Sequence, residues 1–265
     1  MTLPPDAIPE TPPHSGPLLA AIARVSIDAP FTWLAKGLSD LYAARAASLF
    51  YGVVFAVMGW AIVFFHGQAY SLTVALIGGF MLLGPCLAMG LYGLSRQREA
   101  GQAPRLQPSL TVWRVNLPNL GIFALVTGVV FLIWARTSQA VFAMFYSSGL
   151  PTADEFLREL LAFANAEFVI AYLFIGGGFA AFIFSISVVA VPLMLDRGKD
   201  ALSAMLLSLA AVARNPLPML VWAALIATLA GIGFATAFTG LVITIPILGH
   251  ATWHAYRALI PPDAG

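Results

Sequence analysis

Apolar residues fill long unbroken stretches of this chain, separated by short polar segments, from Ala46 to Ile260. Crossing about 30 Å of hydrocarbon takes roughly 20 helical residues, and six segments meet that length. The first runs from Ala46 to Phe65 and the second from Tyr70 to Leu94, with His66-Gly67-Gln68-Ala69 between them. A connection that short predicts a tight antiparallel hairpin. The third starts near Leu120 and continues past Arg136 to about Tyr146; the fourth runs from Phe168 to Leu195. Leu217 to Tyr256 is 40 residues without a charge, too long for one span, so it is divided into a fifth and a sixth by a turn near Phe238–Gly240.

Lysine and arginine then orient the spans. One side receives Arg24, Lys36, Arg45, Arg96, Arg98, Arg105, Arg114, Arg197, Lys199, Arg214 and Arg257, and the other only Arg136 and Arg158. The acidic cluster Asp154, Glu155, Glu159 and Glu167 falls on that second side. The asymmetry predicts both termini in the cytoplasm of a bacterial inner membrane.

An interfacial segment precedes each predicted hairpin. After Phe31, the residues Leu34, Leu38, Leu41 and Tyr42 form a helical stripe, with Lys36, Asp40 and Arg45 on the other face, as suits a helix in the headgroup plane. Leu110–Val115 brings Trp113 and Arg114 to an interface. Asp200 to Arg214 aligns Leu202, Met205, Leu206, Leu209 and Val212, and ends at Asn215-Pro216. The order interfacial segment, helix, helix thus occurs three times, at about 31–96, 108–197 and 200–257. Pro85, Pro192 and Pro246 stand in the second helix of each unit. Arg96 and Arg257 each follow their proline by eleven residues, Tyr92 matches Trp253, and Met89 matches His250. The expected fold is an all-α membrane protein of six transmembrane helices in three hairpins, with a pseudo-threefold repeat.

Composition agrees: of 265 residues, 60% are hydrophobic and 9% charged, against about 45–50% and 25% in soluble domains. The lipid bilayer is therefore the first partner. A net charge of +1 excludes an overall basic nucleic-acid binder. Cys86 is the single cysteine, which excludes an internal disulfide and a cysteine-only metal site. Residues 1–29, rich in proline, are expected to be a disordered cytoplasmic tail, and residues 30–260 the membrane domain.

The sharpest local feature is Gly249-His250-Ala251-Thr252-Trp253-His254-Ala255-Tyr256-Arg257. His250 and His254 share a helix face about 6 Å apart, a spacing that permits a shared metal ion or ligation of a haem iron. No Asp or Glu lies nearby in sequence to complete such a site. The plainer expectation is an interfacial anchor of Trp253, Tyr256 and Arg257. A third is an anionic headgroup held by His250, His254 and Arg257 with neighbouring basic side chains.

Met81, Cys86 and Met89 offer a weaker soft-metal pattern, and His66 falls on the opposite membrane side from His250. No charged residue falls in the middle of a predicted span, which disfavours an ion-driven pump. The chain has no Walker motif, no GxSxG elbow and no paired-carboxylate constellation. A non-enzymatic accessory or scaffold subunit beside other membrane subunits, a respiratory complex for example, is the leading expectation. A lipid or small-molecule binding or transport bundle is the alternative.

At Gly249–Arg257, with Ile245-Pro246 and Asn215-Pro216, the chain resembles an uncharacterised bacterial integral membrane family, domain of unknown function 2189. The resemblance extends over most of the chain after residue 30. It implies the fold and a bacterial inner membrane, and nothing about activity. Some relatives bear names suggesting a cytochrome oxidase subunit I; four histidines in all are too few for the six metal ligands of such a core.

Overall fold

A computed structural model describes residues 22–66, 87–146, 158, 162 and 165–261. Among these the regular structure is helical, without a strand. Helix α1 is Ala29–Ala43 and α2 is Arg45–His66. Helix α3 covers 87–99 and ends at Gly101, whose φ of +71° is the left-handed stop that glycine adopts without strain. A short helix α4, Leu106–Ser109, and a 3-10 turn, Val112–Asn116, lead into α5, Leu117–Phe145. Then follow α6 (Ala166–Ser187), α7 (Ala190–Arg197), α8 (Ala201–Arg214), α9 (Pro216–Ala235) and α10 (Leu241–Leu259). Proline in the first turn of α1, α5 and α9 starts each helix where an N–H has no helical partner.

Among the described residues four stretches are long and apolar enough to cross a membrane: Arg45–Phe65, Leu106–Phe145, Ala166–Arg197 and Pro216–Ala235. Two of the six predicted spans are not among them. Most of the second falls on residues outside the described ones. The sixth, α10, is a helix of 19 residues, but its last turns carry His250, His254 and Arg257, which dilute its apolar character. It lies inside the helical packing, with Pro246, His250, Ala251, Trp253, Ala255 and Tyr256 all buried.

Helix α10 packs mainly on α1 and α2. Glycine permits this: a Cβ on Gly37 would lie 2.7 Å from the Ala251 nitrogen and 2.8 Å from the Ile247 oxygen, so α1 rests directly on the α10 backbone. Gly52 meets the Val242 carbonyl in the same way. The turn between α9 and α10 occupies 236–240, at the predicted place, with positive φ at Ala237 and Phe238. It is secured by Trp60, whose Nε1 donates to the Ala237 carbonyl at 2.6 Å.

Helices α5 and α6 pack on each other, joined by an aromatic cluster of Phe142, Tyr146, Phe168 and Tyr172. Much of their remaining surface is exposed and apolar, including Leu125, Leu132, Met144, Leu173 and Phe174.

Three sequence expectations need correction. Asp40 does not face outward with Lys36; it is buried on the same face of α1 as Trp33, Gly37 and Leu41, while Phe31, Leu38 and Tyr42 form the exposed stripe. On α8, Leu202, Leu206 and Leu209 point outward, but Met205 turns inward with Ala204, Ser208 and Ala211. Small side chains make the packing face because they let the helix approach the core. Finally, residues 22–28 are not loose tail. Ile22 is buried, Ala23 donates its N–H to the Leu259 carbonyl, and the buried Asn215 side chain accepts from Val25 N–H and donates to the Ala23 carbonyl.

Candidate functional site

The Gly249–Arg257 stretch forms the last turns of α10, and the structure surrounds it with carboxylates from distant elements. His254 Nε2 lies 2.9 Å from Asp40 Oδ2 on α1. Trp253 Nε1 donates to Glu99 Oε2 at 3.0 Å, and Arg257 Nε donates to the same oxygen at 2.9 Å. Tyr256 OH donates to Asp196 Oδ2 at 2.6 Å, and an Arg257 terminal nitrogen donates to it at 3.0 Å. The Arg257 guanidinium also stacks over the rings of Trp253 and Tyr256. Each polar side chain of Trp253, His254, Tyr256 and Arg257 therefore has an acidic partner.

Behind this surface runs a buried chain of hydrogen bonds. Ser95 Oγ donates to Asp40 Oδ2 at 2.6 Å and lies 2.7 Å from His250 Nδ1. Since the serine has one proton, His250 Nδ1–H donates to it. A neutral His250 ring then accepts at Nε2 from Ser48 Oγ, 2.8 Å away on α2. The second oxygen of Asp40 accepts from Arg98, whose other terminal nitrogen donates to Ser39 Oγ at 2.9 Å. Asp40 is thus an anion with both oxygens engaged, joining α1, α3 and α10. Burial, the largest influence, raises its pKa. Hydrogen bonds from His254 and Ser95 and the charge of His254 outweigh it, so the net shift is downward.

The five motif residues divide sharply. His250, Trp253 and Tyr256 are wholly buried, whereas His254 and Arg257 reach the surface. Together with Lys36, Ser39, Asp40, Arg98 and Glu99, these two line a cleft of about 500 Å³. Its charge is mixed: three basic side chains stand against two carboxylates. Both ring nitrogens of His250 are engaged by serines, so a metal or haem iron would have to displace one of these bonds. Among the described residues no group of three or more His, Cys, Asp or Glu is arranged to hold a metal ion. Met81 and Cys86 lie outside the described residues, and Met89 is packed in the core.

The residues not anticipated from sequence are Asp40, Ser48, Ser95, Glu99 and Asp196. One signal was available for Asp40: it follows the small Gly37 by three residues, on the face that also carries Trp33 and Leu41. A glycine flanked by large apolar residues marks a close helix contact, which would have turned that face inward.

No curated protein and no solved structure matches this chain. A family model does match, over residues 72–196. The match ends before Gly249, so the histidine stretch that suggested the resemblance lies outside it. The family that the sequence resembles is the one its residues 72–196 match, described as a predicted integral membrane protein (DUF2189).

Proposed function

We propose that this protein holds a phospholipid headgroup in the mixed-charge cleft at the end of α10, at the cytoplasmic surface of a bacterial inner membrane. The observation that carries this is the place of the cleft beside α1. That helix exposes Phe31, Leu38 and Tyr42 along one stripe, and Arg45 lies over the Tyr42 ring. Such a helix sits at headgroup depth, with its apolar stripe in the acyl boundary. Its neighbouring face supplies Lys36, Ser39 and Asp40 to the cleft, so the cleft opens at that depth too. Lys36, which forms no ion pair among the described residues, suits a phosphate together with the donors that Arg98, His254 and Arg257 keep beyond their carboxylate bonds, and Glu99 suits an ammonium, so a zwitterionic headgroup fits the set best. In this arrangement His250, Trp253 and Tyr256 support the cleft from behind and touch no ligand.

The topology proposed with it has six spans in three hairpins, each preceded by an interfacial segment. The exposed apolar residues of α1, of the Leu110–Leu117 segment and of α8 support three contacts with one membrane face. Closed packing around His250 argues against a conduit through α10, so the function is binding rather than transport.

The test is lipid analysis of the protein purified in mild detergent. Wild-type protein should retain a phospholipid that K36A/H254A loses. Equal retention by both would overturn the proposal.

A second function, as an accessory or scaffold subunit, is favoured by α5 and α6, whose surfaces are largely exposed and apolar. Copurification of a stoichiometric membrane partner would support it; a chain that always runs alone would end it.

A further inference from the structure

A second cleft, of about 700 Å³, lies between the end of α3 and the segment that leads into α5. Its polar lining is Arg96, Gln97, Gln102, Arg105 and Thr111, and no carboxylate lines it. This distinguishes it from the mixed-charge cleft, where acidic partners take up the basic groups. Among the described residues neither Arg96 nor Arg105 forms an ion pair. Arg96 spends one nitrogen on the Leu195 carbonyl, at 3.2 Å, which fixes its direction and leaves its other donors available.

The loop carrying Arg105 is itself held in place. The Gln97 side chain accepts from Arg105 N–H at 2.8 Å and donates to the Arg105 carbonyl at 3.4 Å. Two carbonyls at the end of α3, which would repel an anion, are taken by backbone donors: Gln102 N–H donates to the Gln97 carbonyl and Gly101 N–H to that of Arg98. Beside the cleft, Leu110, Val115 and Leu117 are exposed, which gives its mouth an apolar rim.

The geometry points to a phosphate-binding site at Arg96 and Arg105, specific for an anion without a cationic partner group. Two guanidinium groups on separate elements line one cleft, and the amide groups of Gln97 and Gln102 stand beside them. The phosphate belongs either to an anionic lipid headgroup or to a free phosphate compound. The site shares no residue with the mixed-charge cleft and stands whether or not that cleft binds lipid.

The test uses the full chain in neutral detergent, titrated with short-chain phosphatidic acid, with short-chain phosphatidylcholine and with inorganic phosphate, binding being read from thermal unfolding. In the K36A/H254A background, which disables the mixed-charge cleft, phosphatidic acid should bind saturably and phosphatidylcholine should not. Saturable binding of inorganic phosphate at comparable concentration would assign the site to a free phosphate compound; phosphatidic acid alone would assign it to lipid. Added to that background, R96Q/R105Q should weaken the binding by about tenfold or more. R105Q alone, at an exposed side chain, decides the matter if loss of the Arg96–Leu195 bond unfolds the double variant. In that background, binding undiminished by R105Q and by R96Q/R105Q, equal response to phosphatidylcholine, or no response to any of the three probes would overturn the inference.

Discussion

Asp40 and His254 stand 214 positions apart in the chain and 2.9 Å apart in space. Their contact brings the first described helix onto the last and closes one wall of the mixed-charge cleft. The carboxylate also receives Ser95 and Arg98 from α3, so one buried group joins three elements.

Replacing Asp40 by alanine should therefore be among the most damaging changes in the protein. Arg98 loses its ion pair, His254 its acceptor, and Ser95 is left buried without a carboxylate. Removing one member of a buried charged set costs about 3–5 kcal/mol. The expected result is a lower unfolding midpoint in detergent, with a much smaller effect from Lys36→Ala, which changes an exposed side chain.

Acid should expose the same dependence. The Asp40 carboxyl titrates near its ordinary value of 3.8 when unfolded and below it when folded. Its contribution to stability is complete above that value and is lost as pH falls through the lower, folded one. Unfolding midpoints measured down the acid limb should fall below about pH 4, and Asp40→Asn should flatten that limb. An unchanged slope in the variant would contradict the assignment.

Gly37→Ala tests the contact between α1 and α10. The added carbon would meet main-chain atoms of Ile247 and Ala251 at less than 3 Å, so the helices must separate. Overpacking of this kind costs about 1–3 kcal/mol. The unfolding midpoint should drop, and bound phospholipid should be lost with it, since Lys36, Ser39 and Asp40 move with α1.

Asn215→Ala should release the segment 22–28. The asparagine side chain contacts Val25 N–H and the carbonyls of Ala23 and Ala211, and unsatisfied buried groups cost about 1–3 kcal/mol. Hydrogen exchange at Val25 should accelerate, along with protease cutting near Arg24. Protection equal to wild type would show that other contacts hold the segment.

Membrane orientation is checked with cysteines placed at exposed positions in a Cys86→Ser background. Gln102 follows α3 at the cleft end, and Thr239 lies in the turn at the other end of α10. An impermeant maleimide should label Thr239→Cys on intact cells and Gln102→Cys only after permeabilisation. The reverse pattern would invert the proposed topology.

The helical, membrane-embedded character of this protein was legible in the sequence because hydropathy is a local property. Arg45–Phe65 or Pro216–Ala235 needs lipid around it whatever else the chain does. The α9–α10 turn was legible for a related reason, since no single helix could use 40 apolar residues. The residues of the histidine motif were visible too, but their partners were not. Glu99 lies 158 positions from Arg257, and nothing local marks them as a pair. Only packing decided that α10 would be enclosed, because the glycines that admit α1 and α2 act through contacts between distant segments. The same packing turned Asp40 inward, where low solvent access makes its partners obligatory. Among the described residues it also left Arg96 and Arg105 without carboxylates, a difference from Arg257 that their shared residue type does not reveal.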